Sequence, residues 1–117
     1  MDVITIETAS LGDRSYLVHD GRVGLVVDPQ RDIDRILAAA ETAGVVVTHI
    51  AETHVHNDYV SGGLTLACVT GATYVHAAAE PVRFAHSGVR NGDRFDVGRL
   101  HVEVRGTPGH TPHHLSY

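Results

Sequence analysis

The sequence predicts an α/β fold built on a mixed sheet, and three observations predict it. Short apolar runs rich in Val and Ile recur along the chain, at residues 3–8, 15–19, 23–27, 45–51 and 100–105. Two stretches between them have helical character, 33–43 and 61–69. Strands that alternate with helices pack as layers around one sheet. With 117 residues the chain is one domain at most, and its 43% hydrophobic content can fill a core. Trp is absent and aromatics are few, so that core rests on Val, Leu, Ile and Ala.

Residues 3–8 alternate apolar and polar side chains, the pattern of a half-buried strand. Residues 15–19 and 23–27 are two more strands, and Asp20-Gly21 between them signals a hairpin. Asp28-Pro29 ends the third run. Asp32 can then cap a helix over 33–43, whose Ile33, Ile36, Leu37 and Ala40 form one apolar face. Gly44 is its C-terminal stop.

A continuous apolar strand follows at 45–51, and then a histidine-bearing loop. Residues 61–69 form the second helix, with Gly71 just past its end. A short strand is expected at 73–75. A helical turn entered through Glu80-Pro81 is expected in 77–84. A hairpin over 93–97 and 100–105 turns at Gly98-Arg99, and 113–117 has strand character.

Composition excludes several classes. The net charge is −5 with neutral histidines, and no basic stripe suits nucleic acid. No apolar stretch is long enough to span a bilayer, and the N-terminus lacks a basic-then-apolar leader. The single Cys68 excludes an internal disulfide and fits a reducing compartment, so a cytoplasmic location is expected. Mid-helix, Cys68 is expected to be inert packing.

The chemistry concentrates in Glu52-Thr53-His54-Val55-His56-Asn57-Asp58-Tyr59, which precedes Ser61-Gly62-Gly63. If the segment stays extended, positions 54, 56 and 58 share one face and can converge on one point. Imidazole suits zinc and iron, and a carboxylate adds charge. A second histidine, His110, stands in the turn Gly106-Thr107-Pro108-Gly109-His110-Thr111-Pro112 after another strand. His54, His56 and His110 are the candidate metal ligands. Gly62 and Gly63 let the backbone approach the site or open the second helix. His49 is expected to be a core or interstrand histidine. Of His113 and His114, only one can face the site. His19, His76, His86 and His101 read as ordinary surface or sheet residues.

The His-x-His-x-Asp motif after a buried strand, with Thr107-Pro108-Gly109-His110-Thr111 further on, resembles the metallo-β-lactamase superfamily. Asp28-Pro29-Gln30-Arg31-Asp32, the 52–63 run, Asn91-Gly92-Asp93-Arg94-Phe95-Asp96-Val97-Gly98 and residues 107–117 are similar to its persulfide dioxygenase-like branch, often fused to a rhodanese domain. The resemblance implies an αββα sandwich, of which residues 1–117 are the N-terminal portion, about half, as a mixed sheet with helices on one face. It implies a mononuclear Fe(2+) site, or alternatively Zn(2+). It also implies oxidation of glutathione persulfide to sulfite, so the partner is a small-molecule thiol or persulfide.

In that branch the residues matching His54 and His110 hold the iron together with a downstream aspartate. The resemblance leaves His56 near the substrate, and gives Asp28 a structural role at a strand end. Asp58 and Tyr59 are the candidate catalytic residues, Asp58 orienting a histidine or water. Tyr59 stands where the wider superfamily motif, His-x-His-x-Asp-His, has a ligand for a second metal. A glyoxalase II-like thioester hydrolase with zinc is the alternative. An inactive fragment lacking the downstream aspartate is the third reading. A sheet with one bare apolar face would call for a second copy, so a homodimer or higher oligomer is expected.

Overall fold

The computed structural model describes residues 1–8, 13–54, 62–79, 86–109 and 111–117. Its centre is a six-stranded mixed sheet. β1 (Asp2–Thr8), β2 (Asp13–His19) and β3 (Val23–Val27) run antiparallel to one another. β4 (Val46–Ala51), β5 (Thr73–Ala77) and β6 (Ser87–Val89) continue from β3 in parallel. The strands lie in chain order across the sheet. The parallel pairs β3–β4 and β4–β5 are connected through α1 (Ile33–Ala43) and α2 (Gly63–Thr70), as parallel pairing requires.

The turn between β2 and β3 is set by Asp20. Its Oδ1 accepts from the amides of Arg22 and Val23, and Gly21 takes a positive φ of 96°. Backbone amides of Arg99, Val23 and Arg22 hold the Asp20 carboxyl well below the usual carboxylate range. α1 spans the expected residues and ends on left-handed Gly44, and α2 ends on left-handed Gly71. Asp32 occupies the N-cap position of α1, yet its side chain makes no capping hydrogen bond. The amide of Ile33 bonds back to the Arg31 carbonyl instead.

Both faces of the sheet are covered. On one, Ile6, Leu17, Val26, Val47, Ile50 and Tyr74 pack against Ile36 and Ala40 of α1 and Leu66 of α2. On the other, Leu25, Ala51, Val75 and Ala77 meet Val97, Val104 and Leu115. This second layer contains the hairpin of β7 (Arg94–Val97) and β8 (Leu100–Glu103), and the pair β9 (Arg105–Gly106) and β10 (Leu115–Ser116). The bare apolar face that motivated a second copy is therefore absent from the described residues. The chain folds its own hairpin over that face. The expected terminal strand is likewise paired, Leu115 with Gly106 and Ser116 with Arg105.

β4 carries an irregularity opposite Gly24/Leu25. Val47 pairs with Gly24 and His49 with Leu25, so Thr48 is the extra residue. Strict alternation would put Val47 and Ile50 on opposite faces. The bulge lets both enter the helix-covered core, while Ala51 joins the other.

Other expectations differ in detail. α2 is apolar nearly all round, and Cys68 lies on its exposed side. It is not packed as expected, because Leu66, not Cys68, faces the core. β6 has no counterpart in the sequence reading. The helical turn expected within 77–84 lies partly outside the described residues, with 78–79 in a turn.

Candidate metal centre

The site grows from the C-terminal ends of β3 and β4. Asp28 follows β3 directly and is the only described non-glycine residue with positive φ, 51°. Such a conformation is uncommon outside glycine, and aspartate tolerates it better than most residues. It aims the carboxylate across at the residues following β4. Asp28 Oδ1 accepts from the Thr53 amide at 2.8 Å, and Oδ2 from the Thr53 hydroxyl at 2.7 Å. The Asp28 amide donates to Ala51 O at 2.9 Å, and the Ser15 hydroxyl donates to Asp28 O at 2.6 Å. The structural role expected of Asp28 is thus seen as a clamp on the root of the histidine loop.

Thr53 passes this order to His54. Its Oγ1 lies 2.8 Å from His54 Nδ1. A hydroxyl has one hydrogen, and a carboxylate can only accept. Since that hydrogen goes to Asp28, Thr53 Oγ1 accepts from Nδ1–H. The ring lone pair is then on Nε2, the tautomer needed to ligate a metal through that nitrogen, with an oxygen partner fixing the other. The chemistry of His54 therefore fits a zinc or iron ligand.

Glu52, two residues before His54, is 2% exposed. Its Oε1 accepts from the Tyr74 hydroxyl at 2.9 Å, and its carbonyl from the Tyr117 hydroxyl at 2.7 Å. Burial, and then the Asp28 and Glu52 carboxylates, push the Tyr117 phenol above its ordinary value. It therefore stays a neutral donor. A Cβ on Gly63 would lie 2.5 Å from Glu52 Oε1, and one on Gly62 would run into the Gln30 carbonyl. Both glycines serve close approach as well as the opening of α2, where Gly62 is the N-cap.

His114, Leu115 and Tyr117 reach the same place. Leu115 N donates to Thr53 O at 2.7 Å, and the His114 ring stacks on His54 with centroids 5.0 Å apart and planes at 21°. His113 is exposed, so of the two neighbours His114 is the one that faces the site. His56, Asp58, Tyr59 and His110 lie outside the described residues. Among the described residues no three His, Cys, Asp or Glu side chains form a group that could hold a metal.

Of the remaining histidines, His19, His49, His76 and His101 lie in β-strands. His49 stacks on Phe95 at 5.5 Å and contacts Thr48 Oγ1 at 3.0 Å, and burial lowers its pKa. His19 Nδ1 accepts from the Gly21 amide, and exposed His101 contacts Asp96 at 2.8 Å. Sequence reasoning gave Thr53, Glu52, Tyr74 and Tyr117 no role. The first two were signalled only by standing within two residues of His54, and the tyrosines by nothing local. No described helix is long and apolar enough to cross a membrane.

No protein-family model matches the chain. It is 36% identical over 106 residues to a hydroxyacylglutathione hydrolase of Rhodospirillum rubrum, covering 87% of this chain and 41% of that protein. It is 34% identical over 121 residues to the hydroxyacylglutathione hydrolase of Rhizobium johnstonii, covering 100% of this chain and 46% of that protein. The chain thus spans less than half the length of these curated relatives.

Among solved structures, ETHE1 from Myxococcus xanthus superposes with a TM-score of 0.90 at 29% identity, over 98% of this chain and 52% of that one. A metallo-β-lactamase from Staphylococcus aureus gives 0.87 at 28%, over 98% and 37%. With helices on one face, a second β layer on the other and His54 just past the end of β4, the chain has the N-terminal part of the metallo-β-lactamase fold and belongs with the metallo-β-lactamase superfamily.

Proposed function

We propose that the protein carrying this sequence is a metal-dependent hydrolase of glutathione thioesters. The observation that carries this reading is the similarity to relatives named hydroxyacylglutathione hydrolase, over 87% or more of the chain. It reverses the order reached from sequence alone, which put persulfide oxidation first. His54 would hold the metal through Nε2, with His56 and His110 as the further ligands from this chain. A bound zinc supplies a Lewis acid that polarises a carbonyl and makes water acidic near neutral pH. The chain's own part is preorganisation. Asp28 and Thr53 keep the Nδ1 proton of His54 in place, so the ring meets the metal without a tautomer change.

Persulfide oxidation at iron remains a second reading because Tyr59 replaces the last histidine of His-x-His-x-Asp-His. A site that lacks that ligand suits one metal better than two. The likeness to ETHE1 is compatible with this reading.

The two are separated by assaying purified protein, loaded with zinc or with ferrous iron, in parallel. Thioester loss is followed by absorbance, and oxygen uptake is measured with glutathione persulfide. Thioester turnover by the zinc form, abolished by His54→Ala, is expected. Oxygen uptake by the iron form without thioester turnover would overturn the hydrolase reading in favour of the second.

A further inference from the structure

We propose that His114, anchored by Thr107, is a positioning residue that holds the His54 ring from its face while Thr53 holds its edge. His114 and His54 lie nearly parallel, at 21° with 5.0 Å between centroids, a separation at which ring pairs attract. His114 is itself fixed. Its Nδ1 lies 2.9 Å from Thr107 Oγ1, which is also 2.9 Å from Ser116 Oγ. The Thr107 amide donates to the His114 carbonyl at 2.8 Å, closing the turn that contains Gly109.

The anchor is tied to the other loop as well. Leu115, next to His114, donates its amide to Thr53 O. Thr53 also holds His54 Nδ1. One residue thus fixes the edge of the His54 ring and the backbone that brings His114 over its face. A single hydrogen bond to Nδ1 restrains an imidazole but leaves it a range of angles about its Cβ–Cγ bond. A stacked neighbour opposes that rotation, so edge and face contacts together set the Nε2 direction. His114 acts through His54 and is not assigned to the metal itself.

The inference rests on the metal-site part of the proposed function and is independent of the substrate. Its test uses the whole protein with zinc as the probe, titrated against a chromophoric chelator. Long-range proton–nitrogen NMR of the His54 ring is recorded without metal. His114→Ala should weaken zinc binding roughly tenfold and shift the His54 ring resonances. Thr107→Val, which leaves the ring but frees it, should act in the same direction and less. His114→Phe, which restores a stacked ring without a ligating nitrogen, should recover affinity to within a few-fold of wild type.

Unchanged zinc affinity and unchanged His54 resonances in both His114→Ala and Thr107→Val would overturn the proposal. Equal loss in His114→Ala and His114→Phe would also overturn it, by making His114 a ligand. His54→Ala distinguishes the two levels. If it leaves zinc affinity intact, the metal-site reading fails. If it removes zinc binding while His114→Ala has no effect, only the positioning role fails.

Discussion

Tyr74 donates its hydroxyl hydrogen to Glu52 Oε1 at 2.9 Å, and the backbone of Gly63 lies against both atoms. A strand of the sheet, the root of the histidine loop and the start of α2 therefore meet at one buried carboxylate. Tyr74→Phe withdraws a donor from a buried charge-bearing group, and a loss of about 1–3 kcal/mol is expected. Gly63→Ala adds a Cβ 2.5 Å from Glu52 Oε1 and from the Tyr74 hydroxyl, and should cost a similar amount, about 1–3 kcal/mol. Because both changes act on one contact, the double variant should lose less than the sum. Urea unfolding of the four proteins measures this, and additive losses would show the contact is not shared.

That meeting point also marks the limit of what the sequence could reveal. α1 was readable to the residue, because Ile33, Ile36, Leu37 and Ala40 have helical spacing and Gly44 stops it. The Arg94–Val97 and Leu100–Glu103 hairpin was readable from Gly98-Arg99. His54 stood out as a candidate ligand from its motif. The long-range ties that hold the root of its loop were not legible. Tyr117 and Glu52 are 65 positions apart, and no local periodicity connects them. β6 was missed because Ser87-Gly88-Val89 offers one apolar side chain and gains strand structure only by pairing with β5.

Asp28→Asn tests the tautomer. The asparagine oxygen can still accept from the Thr53 amide, but its nitrogen donates. Thr53 Oγ1 would accept that hydrogen and turn its own toward His54 Nδ1, moving the imidazole proton to Nε2. A roughly 10–100-fold loss of zinc affinity is expected, with a changed His54 tautomer in the nitrogen NMR spectrum. An unchanged tautomer would show that the carboxylate does not direct the relay.

Tyr117 sets a limit at high pH. Its folded-state pKa is raised by burial, so between the unfolded tyrosine value of about 10 and the folded value the native state holds more protons. The stability it contributes is complete below about pH 10 and is lost as pH rises beyond that. Tyr117→Phe should remove this part of the alkaline slope, at the cost of about 1 kcal/mol for the bond to Glu52 O. Unfolding midpoints between pH 8 and 11 report the slope. Ultraviolet titration should show Tyr117 ionising only with unfolding, as the part of the signal that Tyr117→Phe removes.

His49 works in the opposite sense at low pH. Burial lowers its pKa, so the unfolded chain takes up a proton there more readily than the folded one. Its contribution is present above about pH 6.5 and is lost as pH falls through the lower folded value. His49→Gln should flatten the decline in melting temperature between pH 7 and 5. An identical decline would assign the acid sensitivity to other groups.

The bulge at Thr48 makes β4 a strand read in two frames. Before it, the side-chain phase serves the helix-covered core. After it, the phase is reset so that Ile50 returns to that core and Ala51 to the other. Deleting Thr48 would restore regular pairing and turn Val47 toward the hairpin-covered side. Alternatively it would turn Ile50, Glu52 and the loop root around together. Residue count between Val47 and Ile50 is therefore under the same constraint as residue identity. Substitutions at the half-buried Thr48 should be tolerated far better than its removal.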